Sequence, residues 1–190
     1  MNNKVIFVQK HLHQLFGRQT TLFDILIIVG CSIAFASLTL TLIFNTDLSV
    51  IKKIIHTILA LDIGGGVVAN FTVGTNNYYA ESLTRKYFFV FFHLLQPSLL
   101  VWIYPADWYA VAVVSLFTLT ASMIVLQVKT HDRQRVTALS LLTLCMMLTI
   151  LLNFSGALLY LTMLFYAIKL ILAFSVNWIS DSSNKIESIN

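Results

Sequence analysis

The stretch "LFDILIIVGCSIAFASLTLTLIF", Leu22–Phe44, runs for twenty-three residues with one charged side chain, Asp24, in its first turn. At ~1.5 Å per residue a helix of this length crosses the ~30 Å of hydrocarbon in a bilayer. Thr21 and Asp24, three apart at its start, make a capping box. Five more apolar runs follow, over residues 54–70, 87–104, 108–128, 136–153 and 157–178. Only 11% of the chain is charged, against the ~25% that a soluble domain uses to solvate its surface. Lipid is therefore the solvent. Backbone groups in lipid must be satisfied within their own segment, and no period-two alternation points to a barrel. The expectation is an all-α polytopic membrane protein, a bundle of six transmembrane helices over residues 21–178. It is flanked by a cytoplasmic amphipathic tail, 1–20, and a cytoplasmic polar tail, 179–190.

The first run contains "IVGC" (28–31) and "AFAS" (34–37), which look like cleavage boxes. Both sit in mid-run with apolar residues continuing to Phe44, so the run reads as a retained helix. Orientation follows from the cations. With the N-terminus inside, one side holds Lys4, Lys10, Arg18, Arg85, Lys86, Lys129, Arg133, Arg135 and Lys185, and the other holds Lys52 and Lys53. That asymmetry places both termini in the cytoplasm of a bacterial inner (plasma) membrane. In the tail, Val5, Val8, Leu12, Leu15 and Phe16 recur at helical spacing and Gly17 can end the turn. This predicts a short interfacial helix, with His11 and His13 as interfacial polar residues rather than metal ligands.

One stretch stands apart: "LDIGGGVVANFTVGTNNYY", residues 61–79, which puts three consecutive glycines beside a carboxylate. Ala60/Gly64 and Gly65/Ala69 are small-xxx-small pairs, which let neighbouring helices approach or let two copies associate. The alternative is a helix unwound at the glycines. Asp62 costs on the order of 3 kcal/mol at mid-membrane, so it must be neutral, paired or wet. Depth arithmetic at ~1.5 Å per residue places Asp62 about 12 Å from the inner face, His93 about 9 Å, Gln96 about 14 Å and Lys169 about 13 Å. Four polar side chains on three helices reach one level, and Pro97 should kink the third helix beside them. The candidate ligand-binding residues are Asp62, Asn70, Asn76, Asn77, Tyr78, Tyr79, His93, Gln96 and Lys169. Access runs from the cytoplasm past Tyr78 and Tyr79, in an inner loop over 71–86. The competing reading makes Asp62 and Lys169 a structural ion pair.

Other features are plainer. "YPADWYA" (104–110) reads as a tight Pro turn with Asp107 as an N-cap, and "VKTHDRQR" (128–135) as a solvated turn. Cys31 and Cys145 read as buried hydrophobes. The N-x-S/T matches at Asn70 and Asn153 are poor glycosylation sites, and "NFTVG" with "NFSG" is too short to establish a repeat. There is no basic patch for nucleic acid, no metal or cofactor motif, and no nucleophile elbow or HExxH.

The segment D-x-x-G-G-x-V-x-N, with the tyrosine-bearing loop after it and His93, resembles a helix end in small uncharacterised polytopic bacterial membrane proteins. The resemblance implies membrane location and no activity. By size alone the six spans are similar to the substrate-binding subunits of vitamin importers. Three roles are expected from the residues. The first is a binding or transport component for a small polar solute or lipid headgroup. The second is a structural or assembly protein with no ligand. The third is a membrane-embedded enzyme acting on a lipid through Asp62 and His93.

Overall fold

The computed structural model describes residues 5–178; the polar tail 179–190 with Lys185, and Lys4, lie outside the described residues. The chain opens with β1 (Val5–Phe7), a 3-10 turn, α1 (His13–Phe16) and β2 (Gln19–Thr21). α2 (Leu22–Phe44), α3 (Val50–Phe71), α4 (Val73–Ala80), α5 (Leu83–Phe92) and α6 (Leu95–Ile103) follow. Then come α7 (Trp108–Gln127), α8 (His131–Leu151) and α9 (Ala157–Ala167), the last continuing as a π-helix over Ile168–Phe174. Six helical stretches, with α5 and α6 counted as one, are long and apolar enough to cross a membrane. The chain is a multi-pass membrane protein.

The first span starts where the sequence says it should. Thr21 Oγ1 accepts from the Asp24 backbone N–H at 3.1 Å while the Asp24 carboxylate accepts from the Thr21 N–H, closing the capping box. Ahead of it, the expected helix is confined to the turns over residues 10–16. Val5–Phe7 is instead extended and pairs antiparallel with Gln19–Thr21, Ile6 opposite Thr20. β-branched residues on both sides suit the pleat, and a strand that finds a partner leaves no reason to coil.

Apolar side chains cover the outside, and several polar side chains are buried within the apolar core. Leu26, Ile33, Leu38 and Leu40 of α2 are exposed, whereas His56 and Lys169 are fully buried. Cys145 is buried as expected, but Cys31 falls on the exposed face of α2. α3 runs unbroken through Gly64–Gly66, so unwinding at the glycines is not what they serve. A Cβ on Gly64 would sit 2.6 Å from Phe35 Cβ, and one on Gly65 would sit 3.1 Å from Ser32 Cβ. These two glycines bring α2 onto α3, and Ser32 Oγ closes the contact by donating to the Leu61 carbonyl at 2.6 Å. The small faces are thus occupied within the chain.

Two segments differ from the sequence reading. Much of the expected inner loop is helical: α4 lies over 73–80 and packs against α1, α3 and α5. Asp107 does not cap α7. Its carboxylate accepts from the Ser155 backbone N–H at 2.9 Å and from the Ser155 hydroxyl, tying the α6–α7 turn to the α8–α9 loop. The third span breaks between Phe92 and Leu95, as Pro97 requires. Proline has no N–H for the carbonyl four residues earlier, that of His93, and the Tyr166 hydroxyl donates to it instead at 3.2 Å. Both halves pack on α7; beyond the break α6 also packs on α3, while α5 also packs on α4. A space opens beside α3 where the two halves diverge.

Candidate functional site

That space is a cavity of about 310 Å³. Its walls include Asp62, Gly66 and Asn70 of α3, Phe89 and Phe92 of α5, His93 at the break and Lys169 of the π-helix. Its roof is the N-terminal segment, through His11, Leu12, Gln14 and Leu15.

Lys169 Nζ donates to Asp62 Oδ2 at 2.7 Å and to the Asp62 backbone carbonyl at 3.2 Å. Gln96 Nε2 donates to the same carboxylate oxygen. The pair is lopsided: the Lys169 side chain is 2% exposed and that of Asp62 is 53% exposed. An interior lysine is tolerated because its amine is held by charge and by carbonyl together, while Oδ1 of the carboxylate makes no hydrogen bond and Asp62 lines the cavity. The third glycine now has its reason. A Cβ on Gly66 would lie 2.4 Å from Lys169 Cε and 2.8 Å from Nζ, so the lysine passes over the bare backbone there.

His93 Nδ1 donates to the Phe89 carbonyl at 2.7 Å. A carbonyl only accepts, so in the neutral ring the proton sits on Nδ1 and Nε2 keeps its lone pair, with no hydrogen bond made to it. Asn70 is buried in the wall and its side chain makes no hydrogen bond; its amide nitrogen is buried without a partner. Of the level inferred from helix depth, Asp62, Gln96 and Lys169 form one hydrogen-bonded network, and His93 and Asn70 line the same cavity as Asp62 and Lys169.

The other expected site residues do different work. Asn76 donates to the Val176 carbonyl at 3.2 Å and accepts from the Trp178 N–H at 3.2 Å, tying the end of the π-helix to α4. Tyr78 lies under the Arg85 guanidinium, 4.0 Å from ring centre, and its carbonyl accepts from Arg85. Tyr79 is buried against Phe89 and Phe174. Burial pushes its hydroxyl well above the ordinary tyrosine range, so it stays protonated. Asn77 lines a separate concavity with Arg18 and Glu81. Neither tyrosine lines the Asp62 cavity. The approach from that end is covered by the N-terminal segment, which α4 holds down. Thr75 Oγ1 donates to the Leu15 carbonyl at 2.7 Å, Arg18 pairs with Glu81 at 2.8 Å, and Gly17 (φ +72°) meets Gly74 with no room for a Cβ on either.

One polar cluster escaped the sequence reading. Thr162 Oγ1 donates to the Leu158 carbonyl, so it accepts from His56 Nε2–H at 3.0 Å, and His56 Nδ1 in turn accepts from the Tyr104 hydroxyl at 2.8 Å. A histidine six residues before Asp62, inside an apolar run, was the available signal. Among the described residues no group of His, Cys, Asp or Glu side chains is placed to hold a metal ion. No family model, curated protein or solved structure matches the chain.

Proposed function

We propose that the chain is a binding or transport component of the bacterial plasma membrane, taking a small polar solute or a lipid headgroup at Asp62. One observation carries this: a cavity reaches an intramembrane carboxylate that is half exposed although its lysine partner is fully buried. A carboxylate kept only to neutralise a lysine would be sealed in beside it, because each exposed lone pair at that depth is a bond not made. Both termini are cytoplasmic in this reading, by the lysine and arginine asymmetry, so the roofed cavity faces inward. Reporter fusions after Lys129 should read internal and fusions at Asp107 external.

The structural reading has its own support in the 2.7 Å contact between Lys169 and Asp62. The enzyme reading has less, since the cavity wall holds neither a hydroxyl nor a thiol to act with Asp62 and His93. Native mass spectrometry of the detergent-extracted protein separates the first two. The double variant Asp62→Asn/Lys169→Met removes both charges together and should fold. A ligand adduct present on the wild type and absent from the double variant is the expected result. A bare wild-type protein, indistinguishable from the double variant, would leave the pair as structure only.

A further inference from the structure

We propose that the ligand is an uncharged lipid alcohol: a bilayer lipid with a free head hydroxyl, seated in the Asp62 cavity with one acyl chain along the α2–α3 groove. This rests on the binding reading above and names its ligand class.

The first support is continuity. On the far side of Leu15 a groove of about 320 Å³ runs between α2 and α3, and it shares Leu15, Asp62 and Gly66 with the cavity. Its walls are Ile28, Val29, Ile33 and Leu61. Its one hydroxyl, that of Ser32, is already spent on the Leu61 carbonyl. A polar chamber and an apolar channel thus meet at one carboxylate, the shape of an amphiphile rather than of a free solute. Val29 and Ile33 are on the exposed side of α2, where a bilayer chain can enter from the lipid.

The second support is hydrogen-bond inventory. Asp62 Oδ1 and His93 Nε2 are unused acceptors, and the Asn70 amide, which can both donate and accept, is unused as well. A hydroxyl matches this set, because it can donate to the Asp62 or the His93 acceptor and accept from the Asn70 amide. A phosphate offers acceptors alone and would face the Asp62 charge. A quaternary ammonium offers no donor. A primary ammonium donates but cannot accept from Asn70, and it would bring a second cation to a carboxylate that Lys169 already neutralises. Charge balance and bonding pattern therefore agree on a neutral head.

The test uses the full chain in phosphatidylcholine nanodiscs doped, one at a time, with a minor fraction of dioleoylglycerol, phosphatidylethanolamine or phosphatidylglycerol. Bound lipid is read by native mass spectrometry after release. Dioleoylglycerol should be retained above the other two. Retention should fall about tenfold, the effect of ~1.4 kcal/mol, in Ile33→Trp, which fills the groove without touching Asp62. Val29→Trp, on the same exposed face, stands in if Ile33→Trp does not fold. Equal retention of all three lipids, or dioleoylglycerol retention unmoved by the groove variant, overturns the lipid-alcohol assignment. If Asp62→Asn/Lys169→Met still loses an adduct in that case, the binding reading survives without it. No adduct under any condition sinks both.

Discussion

Two polar clusters in this bundle are drawn from the same three spans, and they are built to opposite ends. His56, Tyr104 and Thr162 form one; Asp62, Gln96 and Lys169, with His93, form the other. Six residues of α3, about 9 Å at ~1.5 Å per residue, separate His56 from Asp62. In the first cluster every ring nitrogen and hydroxyl has found its partner, and His56 is fully buried. In the second, Gln96 Oε1 and the neighbouring Asn70 amide nitrogen are buried without partners, and Asp62 Oδ1 and His93 Nε2 make no hydrogen bond. Satisfied polar groups in lipid lock helices together; the unsatisfied ones beside a space are what the proposed binding role rests on. Buried polarity alone does not distinguish the two. The hydrogen-bond remainder does.

The comparison is most severely tested at the ion pair. Asp62→Ala should cost on the order of 3 kcal/mol, because it leaves a fully buried lysine without its carboxylate. Lys169→Met should cost clearly less, since the half-exposed carboxylate it leaves can be hydrated from the cavity. Chemical denaturation in mild detergent measures both, and equal losses would mean that Asp62 is as sealed as its partner. Next in size, His56→Leu should cost about 2 kcal/mol by stranding the Tyr104 hydroxyl and the Thr162 acceptor site. It should leave lipid retention unchanged. Loss of retention there would merge the two clusters into one site. The smallest effects separate the glycines. Gly66→Ala should shift thermal stability only modestly, because the lysine tip it strikes is flexible and can keep its hold on Asp62, yet it should reduce ligand retention by narrowing the cavity that Gly66 lines. Gly30→Ala, with nothing within 4 Å of the added methyl, should change retention not at all and raise stability by up to ~1 kcal/mol through helix propensity.

Much of this is legible in the sequence. The first span was readable to the residue from its capping box and its length, and the shared depth of Asp62, His93, Gln96 and Lys169 came from counting residues at helical rise. Those inferences work because lipid forces regular helices, and regular helices turn sequence position into depth. Where the chain leaves the span, that conversion stops. The 71–86 segment, rich in Thr, Asn and Gly, carried turn chemistry by composition but became α4, because the N-terminal segment and α5 gave it surfaces to pack on. The tail over 5–16 had helical spacing but partly became a strand, because Gln19–Thr21 lay within reach of the Gly17 reversal.

The sequence by itself determined a six-span α-helical membrane protein and the four polar residues at one membrane level, since both follow from hydropathy and a fixed rise. Only the tertiary structure decided what each glycine is for. Gly64 and Gly65 admit α2, and Gly66 admits the Lys169 side chain. It also decided that Asn76, Tyr78 and Tyr79 serve packing while Asn70 faces the cavity, and that the roof is the N-terminal segment. Depth along a helix is a one-dimensional property that the chain carries in its own order. The azimuth of a side chain, and therefore its partner, depends on how far neighbouring helices rotate, break and approach, which no single helix encodes.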